Sequence, residues 1–115
     1  MPPDPHHGQV WLAALGVARK GEIGKTRPVI VVSVDQVRSG SPYDLVAVVP
    51  LSASRTARLL RPRIPAMERL KEDSVALCDA VQSIALTRFK EQLATLPSDL
   101  MTEIQAARAT FEGWA

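Results

Sequence analysis

The sequence is poor in the residues that carry most side-chain chemistry: it holds one cysteine, two histidines and five aromatics in 115 residues. A single thiol, Cys78, closes no internal disulfide, so nothing requires an oxidising compartment. His6 and His7 are adjacent and near the start, without cysteine or carboxylate at ligand spacing, which argues against a metal centre. A Ser-His-Asp arrangement would have to draw on one of them. Cys78 has no histidine partner in sight and lies in an apolar stretch, so it reads as a small core residue. Long hydrophobic runs are missing too: the longest strongly apolar one, Pro28 to Val34, falls far short of a membrane span. The opening Met1-Pro2-Pro3-Asp4-Pro5 has neither the charged head nor the apolar stretch of a signal peptide. The expectation is a soluble cytoplasmic protein with no membrane segment. Gly24-Lys25-Thr26 looks like the end of a phosphate-binding loop, but Arg19 stands where that loop needs glycine and Pro28 blocks the helix that must follow.

What is present is an ordinary globular composition, 46% hydrophobic and 23% charged, in a length that suits one domain. Residues 1–7 read as a flexible tail and 8–115 as a single domain. The net charge of +2 conceals an uneven distribution. Residues 1–71 hold eleven Lys/Arg against five Asp/Glu, whereas 72–115 hold three against seven. The first part is therefore the place for a polyanionic partner.

Many short strands precede one helix. Gln9–Leu15, Pro28–Val34 and Leu45–Leu51 are apolar and rich in β-branched residues, with Pro28 opening the strongest of them. Leu60–Ile64 is a short candidate, Ser74–Ile84 reads as one strand bent near Asp79, and Glu91–Leu96 as a weak last one. Leu100, Ile104, Ala107 and Phe111 then recur at helical spacing, with Ser98 as expected N-cap and Gly113 as stop. This order predicts an α+β, mainly β fold: a small antiparallel barrel or sandwich with a C-terminal helix packed on it.

Two segments are suited to function. In the loop 21–28, Pro28 restricts Arg27 to an extended conformation, so its guanidinium projects from a stiff strand start. A guanidinium fork matches a phosphate and can stabilise charge developing on it; pairing with Glu22 is the plain alternative. In Pro50-Leu51-Ser52-Ala53-Ser54-Arg55, Ser52 or Ser54 brings a hydroxyl beside Arg27 if the two strands are neighbours. Beyond it, residues 55–71 carry Arg55, Arg58, Arg61, Arg63, Arg69 and Lys71 against Glu68, a track suited to a nucleic-acid backbone or simply a solvated loop.

Four stretches resemble the successive motifs of the MazF/PemK toxins: Gly8-Gln9-Val10-Trp11-Leu12, Gly24-Lys25-Thr26-Arg27-Pro28-Val29-Ile30-Val31-Val32-Ser33, Val49-Pro50-Leu51-Ser52 and Asp73-Ser74-Val75-Ala76-Leu77-Cys78-Asp79. The likeness runs from about residue 8 to 111. It implies an SH3-like barrel with a C-terminal helix, a homodimer, and a sequence-selective endoribonuclease that needs no metal or other cofactor. Single-stranded RNA would be cut by its own 2′-hydroxyl, leaving a 2′,3′-cyclic phosphate and a 5′-hydroxyl, under the control of a cognate antitoxin. By position, Arg27 matches the family's catalytic arginine, Ser52 a hydroxyl that helps at the scissile group, and Glu22 an acidic loop residue that supports activity. Lys25, Thr26, Ser54, Arg55, Arg58 and Asp79 are the RNA-binding candidates.

The match has departures. His7 and Gln9 replace the family's usual arginine and glutamate, Leu77 stands where some members carry a second arginine, and Ala80-Val81-Gln82-Ser83 replaces a stretch that ordinarily contains one. Two other readings stay open: a CcdB-type poison that traps gyrase without catalysis, and a relative that binds RNA and cuts nothing.

Overall fold

The computed structural model describes residues 3–17 and 24–114. The first strand, β1 (Gln9–Ala14), pairs antiparallel with β2 (Thr26–Val31), and β2 pairs with β3 (Leu45–Ser52). The other edge of β3 is shared: its first half pairs with β6 (Gln82–Ala85), and Leu51 and Ser52 pair with β5 (Ser74–Ala76). β4 (Arg63–Ile64) joins β5, β7 (Phe89–Thr95) joins β1, and α1 (Ser98–Glu112) follows. The result is a curled antiparallel sheet with one terminal helix, as the strand-then-helix order predicts. The residues 68–69 draw the curl together, since Arg69 N–H donates to Leu93 O (2.9 Å) and Thr95 N–H to the Glu68 carboxylate (2.9 Å).

The run Ser74–Ile84 is not one bent strand. A 3-10 turn at Cys78–Ala80 separates β5 from β6, and the two halves pair with different parts of β3. Pro50 stands at the junction. Its carbonyl accepts from Leu77 N–H at 2.9 Å, so its nitrogen faces the gap where a missing N–H forfeits no ladder bond. Pro28 is the third residue of β2 rather than its opener, and the recorded ladder to β3 starts one residue later, at Val29.

Alternation along the strands creates two cores. One face places Val10, Ile30, Val49 and Leu51 beneath the helix residues Met101 and Ile104. The opposite face gathers Trp11, Ala13, Val29, Val31, Val48, Ile84 and Phe89, with the Trp11 and Phe89 rings edge-to-face at 5.9 Å. In α1, Ser98 is the first helical residue and Pro97 occupies the N-cap position with no side-chain cap bond. Gly113 ends the helix in the left-handed region, as expected. Phe111, placed in the apolar stripe from spacing, lies half exposed.

The N-terminal residues 4–7 are not loose. Pro5 is fully buried, and His6 contacts Asp35 (2.5 Å) and Asp4 (3.0 Å). Arg38 reaches both the Pro5 carbonyl and Asp35. Among the described residues no helix is long and apolar enough to cross a membrane.

Candidate active site

Arg27 and Ser52 come to the same face of the sheet. Arg27 lies opposite Ala13 on β1, and Val29 lies opposite Pro50 on β3. Carrying that register two residues on sets Arg27 across from Ser52, on the face away from the helix. Because the recorded ladder stops at Val29, this strand end lacks the lacing that joins the two strands higher up. The Arg27 Nε–H donates to Gly24 O at 2.9 Å, which fixes the plane of the guanidinium. Partial burial, and then the like charge of Arg55, lower its pKa from the ordinary arginine value. Ser52 is a buried hydroxyl whose Oγ lies 3.3 Å from both Ser54 Oγ and Ser54 N–H.

The loop before Arg27 is closed by a pair of backbone bonds, Leu15 N–H to Lys25 O (2.8 Å) and Lys25 N–H to Gly16 O (2.7 Å). Lys25 takes a left-handed conformation, φ 67°, which costs a non-glycine residue about 1–2 kcal/mol and turns the chain into β2. Lys25 and Thr26 are both exposed beside Arg27. Glu22 lies outside the described residues.

Arg55 is close enough for its charge to act on Arg27, whereas Arg58 and Asp79 belong to a second cluster with Arg61. The Arg61 guanidinium binds Asp79 through Nε at 3.1 Å and Nη2 at 3.0 Å, and Arg58 stands 3.8 Å from the same carboxylate. The hydrogen bond from Arg61 chiefly holds the Asp79 carboxyl below the usual carboxylate range. Sequence reasoning placed Arg61 in the basic track but missed this pairing, because 18 residues separate the partners.

The departures from the family pattern have structural counterparts. Leu77 is fully buried, so a cation at this position would be desolvated. The Gln9 side-chain carbonyl accepts from Trp11 Nε1–H and from His6 N–H, both at 2.9 Å. The His7 ring touches the Val32 carbonyl at 3.2 Å. Cys78 is a buried core residue, its thiol pushed up to about 12 by burial. Among the described residues, no three His, Cys, Asp or Glu side chains gather as a metal site.

A small curled antiparallel β-sheet with a terminal helix is the class of fold that the sequence motifs imply. The model of the PemK-like, MazF-like toxins of type II toxin–antitoxin systems matches residues 6–111, and this chain belongs to that family. Among solved structures it is similar to MazF from Deinococcus radiodurans, at 24% identity and TM-score 0.81, covering 95% of this chain and 96% of that one. It is similar also to an endoribonuclease in complex with its cognate antitoxin from a mycobacterial species, at 20% identity and TM-score 0.77, covering 97% and 98%. A MazE–MazF structure from Deinococcus radiodurans aligns at 23% identity and TM-score 0.71, over 95% of each chain. At such identities the likeness establishes the shared fold.

Proposed function

We propose that this chain is a metal-independent, sequence-selective endoribonuclease of single-stranded RNA, working in the cytoplasm as a homodimer restrained by a cognate antitoxin. The observation that carries the reading is the common face of Arg27 and Ser52 at the open end of β2 and β3. Membership of the toxin family supports it, as do structural neighbours described as endoribonucleases and as antitoxin complexes.

In this reading the substrate supplies its own nucleophile, as the family resemblance implies. That fits a strand end where, among the described residues, Ser52 Oγ bonds to Ser54 and no metal-ligating cluster forms. The ribose 2′-oxygen attacks the adjacent phosphorus and loses its proton. The bond from phosphorus to the 5′-oxygen breaks, and that oxygen takes up a proton, leaving a 2′,3′-cyclic phosphate and a 5′-hydroxyl. Arg27, oriented by the Gly24 carbonyl, donates to the non-bridging oxygens as their charge grows. Its lowered pKa, set by burial and by Arg55, makes it a readier donor where a phosphate replaces lost solvation. Ser52 contributes a hydroxyl to the scissile group, and Glu22 acts from the loop. Lys25, Thr26, Ser54 and Arg55 hold the flanking backbone. A mostly disordered acidic antitoxin segment, folding as it binds, would suit this same basic rim.

The test is cleavage of a defined mixed-sequence RNA in EDTA, with both new ends mapped. Cyclic phosphate and 5′-hydroxyl ends at a recurring short motif are expected. Binding without cleavage would instead leave a non-catalytic RNA binder, and intact RNA with broken DNA in arrested cells would point to a gyrase poison.

A further inference from the structure

Arg58, Arg61 and Asp79 have a division of labour that the ribonuclease reading leaves unused. Residues 58–61 form a tight turn with Leu59 and Leu60 at its tip, closed by Arg61 N–H to Arg58 O (2.8 Å) and Arg58 N–H to Arg61 O (3.2 Å). The returning limb is tied to the sheet through its backbone. Cys78 N–H donates to Leu60 O (3.1 Å) and Ala76 N–H to Pro62 O (2.9 Å). The outgoing limb carries Arg55 and Arg58, and it reaches that anchorage through Arg61.

The two arginines meet Asp79 differently. Arg61 is 14% exposed at its side chain and spends a bidentate pair on the carboxylate. Arg58 is 63% exposed and stays at 3.8 Å, beyond hydrogen-bond reach, so its donors are not spent there. A phosphate can take Arg58 without breaking the Asp79–Arg61 pair.

Resting on the ribonuclease reading, we propose that Asp79 is a positioning residue: its pair with Arg61 sets the 58–61 turn, so that Arg58 meets an RNA phosphate. Asp79 itself does not touch the RNA. This assigns an unusual sign to a carboxylate on a basic surface. Removing a negative charge near a polyanion site ordinarily strengthens binding through the long-range field. Here the charge is already matched by Arg61, and its loss frees a partly buried guanidinium and loosens the turn. Ordering that turn again on binding carries an entropy cost that the native pair has already met.

The experiment compares wild type, Asp79→Asn, Arg61→Gln and the double variant on a fluorescent 2′-O-methyl RNA, which lacks the nucleophile and is not consumed. Asp79→Asn is expected to weaken binding about tenfold, the scale of one hydrogen bond to a charged group. The slope of log affinity against log salt should fall in steepness by about 0.7, the mark of one lost phosphate contact on a single strand. In the Arg61→Gln background, Asp79→Asn should add less than about twofold, as expected of residues acting as one unit. Equal or tighter binding by Asp79→Asn overturns the proposal, and so does an undiminished effect in the Arg61→Gln background, which would mean direct contact. A second readout needs no RNA: trypsin should cut the Arg58–Leu59 bond several-fold faster in Asp79→Asn, and an unchanged rate also overturns the proposal. Wild-type protein that fails to bind the oligonucleotide at low salt defeats the ribonuclease reading, while the tryptic rates still decide whether Asp79 sets the turn.

Discussion

Arg27 and Arg61 are the same side chain in opposite electrical settings. Arg27 is partly buried with another cation, Arg55, as a perturbing neighbour, and its pKa falls. Arg61 is nearly buried against a carboxylate that takes both ends of its fork. A guanidinium facing a like charge gains most when an anion arrives; one matched by a carboxylate has little more to gain. A count of basic residues in sequence therefore mixes two populations. Arg27 is perturbed by burial and by the like charge of Arg55, whereas Arg61 is matched by Asp79.

The largest effect is expected at Arg27. Arg27→Ala should lower RNA cleavage by about 10²–10³-fold, the scale of one lost oxyanion donor, with the melting temperature little changed. Wild-type cleavage rates in that variant would falsify its assigned role. Next in size is Ser52→Ala, expected to slow cleavage about 10- to 100-fold, as for a hydrogen bond to a charged group. Ser52→Thr should keep most of the activity, since the hydroxyl remains and the added methyl only restricts its rotamers. Single-turnover rates on a short RNA separate the two substitutions.

Arg61→Ala tests the other half of the contrast. It should destabilise the fold by about 1–2 kcal/mol in urea titration, because Asp79 loses its bidentate partner while remaining mostly buried. The stabilisation from this pair carries a pH signature. The folded-state pKa of Asp79 is depressed, so the contribution is present above the ordinary carboxylate value and is lost as pH falls through the lowered one. Wild type and Arg61→Ala should therefore converge in stability at acid pH.

The smallest effect belongs to His6. Its pKa is raised above 6.5, chiefly by the hydrogen bond to Asp35, so this stabilisation is full below about pH 6.5 and is lost as pH rises through the raised value. His6→Gln should melt below wild type at pH 6 and approach it at pH 9. The gap should be under about 1 kcal/mol, because the pair is nearly half exposed and screened. A gap that widens with pH would reverse the assignment.

Much of the fold was legible because local pattern and tertiary role agree. The β-branched runs in β2 and β3 and the helical spacing of Leu100, Ile104 and Ala107 each state their element directly. Ser74–Ile84 misled because an apolar run carries no mark of where its pairing partner changes; the turn at Cys78–Ala80 follows from β3 offering one edge to two strands. Residues 4–7 misled for a related reason. Prolines and charges near a terminus look solvated, yet Asp35 and Arg38, far along the chain, bury Pro5 and tie His6. At the candidate site, the motifs single out Arg27 and Ser52 as candidates, but the face they share depends on the β2–β3 register.

Composition and periodicity alone determined a small β-rich domain closing on one helix, with its cations gathered in the first two-thirds of the chain. Those properties follow from side-chain size, branching and charge, which act over a few neighbouring residues. Which arginine faces a like charge and which is matched by a carboxylate was decided by tertiary structure. Arg61 and Asp79 meet only when β5 leaves the edge of β3 and the chain turns at Cys78–Ala80, and an ion pair between distant residues leaves no trace in local pattern.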